Sequence, residues 1–121
     1  MSGRLVIPIH NGNGDLIAYG GRSVDRTQPR YRVPPGFAKS EILFNMHRAA
    51  ATGESAVVVV EGFFDCMKLH QAGIGSVVAL MGSALYEPQR CALVGRFRHV
   101  VVMLDGDVTG RKAGKTVADR L

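Results

Sequence analysis

Residues 56–65 read AVVVVEGFFD, and the reading of this stretch decides the fold. Four consecutive valines are unbroken rather than alternating with polar residues, which marks a strand buried on both faces. Glu61 follows them directly, then Gly62, two phenylalanines and Asp65. A carboxylate at the tip of so apolar a strand adds nothing to folding, so its placement calls for a functional reason.

Downstream, the stretch repeats its rhythm. FFDCMKLHQAG predicts a helix with Gly73 near its C-terminus, and SVVAL a second strand. EPQRCALVGRF predicts a helix with Pro88 in its first turn, and HVVVML a third strand. VTGRKAGKTVADRL predicts a helix running to residue 121. Strands alternating with helices of this length indicate βαβ units and a parallel sheet.

Upstream the pattern differs. RLVIPIH and LIAYGGRSV are strand-like runs separated by NGNGD, and Asn-Gly between apolar runs predicts a β-hairpin over residues 4–24. Residues 25–38, rich in arginine and proline, have no helical or strand period and predict an extended loop. Ser40 is placed as the N-cap of a helix through EILFNMHRAA, with Ile42, Leu43 and Met46 on one face. A change of rhythm near residue 55 divides the chain into two parts, 1–55 and 56–121.

Composition sets wide bounds. A chain of 121 residues, 46% hydrophobic, is enough for one domain with a real core. It has no apolar run long enough to cross a membrane and no signal-peptide pattern, so the default expectation is cytoplasmic, with no membrane partner. Cys66 and Cys91 form no CxxC pair and are expected as buried thiols, and the four histidines show no zinc spacing with them. The net charge of +5 favours polyanionic partners.

The carboxylates carry the chemistry. In an open parallel sheet, ligands bind beyond the carboxyl ends of the strands. Glu61 lies at that end of the first parallel strand, Asp105 at that end of HVVVML, and Asp107 two residues on. If those strands are neighbours, three carboxylates converge. Two carboxylates about 5 Å apart repel by roughly 3 kcal/mol at an effective dielectric of 20, so a hard dication is expected among them. Oxygen-only ligands suit Mg²⁺ or Mn²⁺, and such ions serve phosphoryl transfer. Plainer readings exist: Asp107 as a helix N-cap, Asp105 as a strand end, and Asp65 as a first-turn acid favoured by the helix dipole. Two glycine motifs are decoys. NGNGDLIA sits in a hairpin and opens no helix. GRKAGKT has three residues where a phosphate-binding loop needs four.

VVVVEGFFD, SVVALMGSAL and VVVMLDGDVTGRKAG together resemble the Toprim fold shared by bacterial primases, topoisomerases and some small nucleases. GFFD and DGDVTGRKA are similar to the primase branch. RLVIPIHNGNGDLIAYGGR, PRYRVPPGF and KSEILFNMHRA resemble the subdomain that precedes Toprim in bacterial-type primases, particularly the zinc-finger primase-like proteins of mobile elements. YRVPPGF departs from the Asn-Ser-Pro usual in replicative primases.

The resemblance implies an α/β Toprim-type parallel sheet with flanking helices, preceded by a small α+β subdomain with a β-hairpin. Residues 1–55 would be the N-terminal part of a primase core, and 56–121 a C-terminally truncated Toprim domain. It implies Glu61 as catalytic residue and metal ligand, Asp105 and Asp107 as metal ligands for Mg²⁺ or Mn²⁺, and Asp65 as an accessory acid. Arg22, Arg30 and Lys39 fall on positions for nucleic acid or the incoming nucleotide. The implied activity is template-directed primer synthesis from ribonucleoside triphosphates on single-stranded DNA, by a fragment of a larger primase. A zinc-ribbon or helicase segment would be encoded elsewhere. A small Toprim nuclease and a non-catalytic nucleic-acid-binding remnant are the alternatives.

Overall fold

The computed structural model describes residues 4–23, 31–32, 39–82 and 84–104. Its elements are β1 (Arg4–His10), β2 (Leu16–Ser23), β3 (Tyr31–Arg32), a single 3₁₀ turn (Lys39–Glu41), α1 (Met46–Ala51), β4 (Ala56–Val60), α2 (Phe63–Gln71), β5 (Val77–Ala79), α3 (Glu87–Arg96) and β6 (His99–Val102).

The hairpin forms where Asn-Gly places it. β1 and β2 pair antiparallel, with Pro8 opposite Tyr19 and Leu5 opposite Arg22. Asn11 organises the connection: its Oδ1 accepts the backbone N–H groups of Asn13 and Asp15 at 2.9 and 3.0 Å, and Gly14 takes φ +88°. The loop expected over 25–38 contains one short strand, since β3 pairs with β2, Tyr31 opposite Arg22.

The second sheet is parallel, in the order β5-β4-β6. β4 sits in the middle. Val57 and Val59 face one side, with Val78, Leu80, Leu93 of α3 and Phe97. Val60 faces the other, with Val77, Ala79 and Phe63 and Cys66 of α2. The unbroken valines of β4 thus serve two cores, and full burial of each valine is worth about 1.5–3 kcal/mol. β6 departs from the expectation of two-sided burial. It is an edge strand, and Val101 and Met103 are about half exposed.

Two further expectations are corrected. The helix placed from Ser40 begins only at Met46. Leu43 and Phe44 point to opposite cores, which is a strand's alternation and not a helix's face. Phe44 is held extended by a reciprocal bridge to Ala79, N–H to carbonyl at 3.0 and 3.1 Å. Two hydrogen bonds to the sheet and two core side chains outweigh the weak local preference for helix. Of the cysteines, Cys66 is buried but Cys91 is exposed on α3. The C-terminal helix expected over 108–121 lies outside the described residues.

The hairpin docks on the α2 face of the sheet. Ile7 and Ile9 enter the same cluster as Phe44, Val60 and Phe63. Phe44 and Phe63 meet edge to face, with ring centroids 4.9 Å apart. Gly20 permits this approach, because a Cβ there would lie 3.1 Å from the Phe63 ring.

Candidate metal centre

The strand order decides where a site can form. The chain passes from β4 outward to β5, then back over β4 to β6, so the direction of winding reverses between β4 and β6. A crevice opens at such a switch point, outside the carboxyl ends of the strands. Glu61 follows β4 there. β6 runs alongside in register, Val59 opposite Val102, and the Met103 N–H donates to the Val59 carbonyl at 2.8 Å. The neighbour relation that the sequence left conditional therefore holds.

Glu61 is half-buried at this edge. Its backbone is fixed on the β5 side, where the Leu80 N–H donates to the Val60 carbonyl at 2.9 Å and the Met81 N–H to the Glu61 carbonyl at 2.8 Å. Met81 makes this turn at φ 61°, left-handed for a non-glycine residue. On the far side, Gly62 is the N-cap of α2. The helix therefore starts beside Glu61 and turns its positive dipole end toward the crevice. Asp65 is in the first turn of α2 and exposed, as the plainer reading has it.

Asp105 and Asp107 lie outside the described residues, which reach Leu104 one position before Asp105. Among the described residues no group of three or more His, Cys, Asp or Glu side chains is gathered. The donor set of the expected centre is three carboxylates with neither thiol nor imidazole. That chemistry fits a hard divalent cation such as Mg²⁺ or Mn²⁺.

The basic positions divide in the same way. Arg22 lies on β2 two residues beyond Gly20, the point where the hairpin touches Phe63 at the start of α2. Lys39 opens the 3₁₀ turn, which lies against α3. Arg30 is outside the described residues.

One residue of this region had no place in the sequence reading. Gln89, in the first turn of α3, is completely buried. Its Nε2 donates to the Ile42 carbonyl at 2.9 Å and lies 3.5 Å from that of Leu80, while its Oε1 accepts the Tyr86 N–H at 3.0 Å. It thereby ties the turn after β5, the start of α3 and the segment after Lys39 together behind Glu61. The only local signal is a Gln three residues after the N-cap, where a side chain reaches back to the capping N–H.

The Toprim domain profile matches residues 55–121, and that of the DNA primase catalytic core N-terminal domain matches residues 1–50. The chain belongs to the Toprim family. Curated relatives of this Toprim chain include the DNA primase of Synechococcus elongatus, 38% identical over 120 residues, and that of Aquifex aeolicus, 39% identical over 119. Each match takes in 93% of this chain but only 17% and 24% of the relative, so the Toprim chain spans about a fifth of their length. The fold is similar to part of the Aquifex aeolicus primase structure of zinc-binding and RNA polymerase domains, at TM-score 0.86 and 37% identity over 93% of this chain and 30% of that one. The DnaG primase catalytic domain bound to single-stranded DNA matches at TM-score 0.83 and 30% identity, over 93% of this chain and 37% of that one. Among the described residues, no helix is long and apolar enough to cross a membrane.

Proposed function

We propose that this chain is the metal-binding core of a primase-type nucleotidyltransferase, which makes RNA primer on a single-stranded DNA template. Residues 1–55 act as the N-terminal part of the catalytic core and 56–121 as the Toprim domain. Glu61, Asp105 and Asp107 would hold Mg²⁺ or Mn²⁺. Bound there, the ion supplies positive charge that offsets the triphosphate and favours attack on the α-phosphate. Glu61, beside the N-terminal dipole end of α2, is the catalytic residue and proton acceptor for the attacking 3′-hydroxyl. Arg22, Arg30 and Lys39 hold the template or incoming ribonucleotide, Asp65 is an accessory acid, and a zinc-ribbon or helicase segment completes the machinery. The proposed setting is cytoplasmic, and the proposed kinship is with primase-like proteins of mobile elements.

The observation that carries this reading is the in-register pairing of β4 with β6 at a winding reversal. It sets Glu61 beside the strand end that leads into Asp105. The hairpin, within the part similar to a primase catalytic core, favours primer synthesis over nuclease action.

Labelled ribonucleotides, template and Mn²⁺ are incubated with the chain, alone and within a longer polypeptide carrying the flanking segments of the primase relatives, and products are resolved on a gel. Extension is expected from the longer form and lost in Glu61→Gln, which keeps the fold because the side chain stands at a strand tip. Cleavage of the template without extension would identify a nuclease instead. No reaction from the longer form would leave only nucleic-acid binding.

A further inference from the structure

Away from the carboxyl edge, the hairpin, α1 and α2 enclose a concavity of about 430 Å³. Met67 and His70, which line it, stand one and two turns along α2 from Phe63. Since α2 starts beside Glu61 and runs back along the sheet, the cavity and the crevice at Glu61 occupy different ends of the helix. Its volume is within the roughly 300–1,000 Å³ of small-molecule sites.

The lining divides cleanly. Ile7, Phe44 and Met67 provide an apolar wall, with the Cys66 thiol behind them. Burial pushes the Cys66 pKa up to about 12, with Arg48 opposing and Asp65 adding to the shift, so this surface carries no charge at neutral pH. Arg48 and His70 stand at the rim, and no acid is among the described lining residues.

Arg48 is held in place. Its Nη1 donates to Asn45 Oδ1 at 3.2 Å, and the nearly fully buried Asn45 donates through Nδ2 to the Val77 carbonyl at 3.0 Å. A guanidinium has five N–H donors, and this contact engages one. Asn45 itself adopts φ 70° and ψ 11°, a left-handed conformation that costs of order 1 kcal/mol and persists only where the surroundings enforce it. Holding a cation this way over an apolar hollow removes part of the ordering cost of binding an anion.

We propose that this cavity is a binding site for a small amphipathic anion: a compact apolar body carrying one carboxylate, sulfonate or phosphate group. The apolar part lies on Ile7, Phe44 and Met67. The anionic group meets Arg48, with the His70 ring as a second polar partner. The site uses no residue of the carboxyl edge, so it stands or falls independently of the metal centre.

The test is a fluorescence titration of the 121-residue chain with 8-anilino-1-naphthalenesulfonate, a fused-ring body with a single sulfonate. Saturable one-to-one binding is expected, with near-UV circular dichroism confirming native packing. Arg48→Glu should weaken it at least about 10-fold, as expected for loss of a charge-assisted contact. Lys68→Glu, an exposed cation on α2 outside the lining, should change it by less than about 2-fold. N-phenyl-1-naphthylamine, which lacks the anion, should bind equally to both variants. Met67→Trp, which narrows the cavity without touching charge, should weaken binding of both dyes and covers the case in which Arg48→Glu fails to fold. Equal losses in Arg48→Glu and Lys68→Glu would reduce the effect to general electrostatics and overturn the proposal. So would unchanged binding in Met67→Trp, or no binding to the wild-type chain.

Discussion

Replacing Gln89 by Met keeps a similar volume at a fully buried position and removes its polar head. Two backbone groups then lose the partners they have: the Tyr86 N–H, which donates to Oε1 at 3.0 Å, and the Ile42 carbonyl, which accepts from Nε2 at 2.9 Å. The contact to the Leu80 carbonyl, at 3.5 Å, is too long to count fully. Stranding a buried backbone group costs about 1–3 kcal/mol, so the pair predicts a loss of about 3 kcal/mol. For a chain of this size about 1 kcal/mol moves Tm by ~4 °C, which makes the expected drop about 12 °C. Arg90→Met is the matched control on the same helix. It breaks the exposed Arg90–Glu87 pair at 3.1 Å, worth well under about 1 kcal/mol. Thermal melts of both variants give the stability comparison. Amide hydrogen exchange gives the local one, since the Met81 N–H that bonds Glu61 sits one residue beyond Leu80 and should exchange faster in Gln89→Met alone. A melting point for Gln89→Met within about 3 °C of the Arg90→Met control, with Met81 equally protected, would refute the idea that Gln89 braces the crevice.

His47 supplies a pH dependence. It stacks near His10, ring centroids 4.8 Å apart, with its buried Nδ1 lacking a hydrogen-bond partner among the described residues. Burial, then Arg48, then His10 lower its pKa from 6.5, so the folded state takes up fewer protons than the unfolded one. The associated stability is complete above about pH 6.5 and falls as the pH drops below it. Melts between pH 7 and 5 should show that acid-side slope flattened in His47→Phe, and an unaltered slope would exclude His47 as its source. For nucleic acid, alanine at both Arg30 and Lys39 should reduce the salt dependence of single-stranded DNA binding by about 1.4 in log–log slope, measured by fluorescence anisotropy; an unchanged slope would place the contacts elsewhere.

The sequence alone was sufficient for features that depend on neighbours along the chain. Asn-Gly between apolar runs gave the hairpin, and valine runs alternating with helical periods gave β4, α2, β5, α3 and β6 with bounds close to those observed. Glu61 stood out because a carboxylate after four valines contradicts burial. Tertiary structure decided what depends on distant partners. The order β5-β4-β6, which turns Glu61 from a strand-end acid into a residue at a winding reversal, follows from how the two crossovers pack on opposite faces. Phe44 was drawn out of a helical pattern by its bridge to Ala79, and β3 exists only because β2 offers it an edge. Cys91 is exposed because its side of α3 faces away from the sheet, and β6 is half-covered because it is an edge strand. Gln89 carries no apolar signal, yet it is buried completely, because three backbone groups from three segments meet where its amide lies. Periodicity reports which face of an element is apolar; only packing fixes which element that face meets, and therefore where polar groups must find their partners.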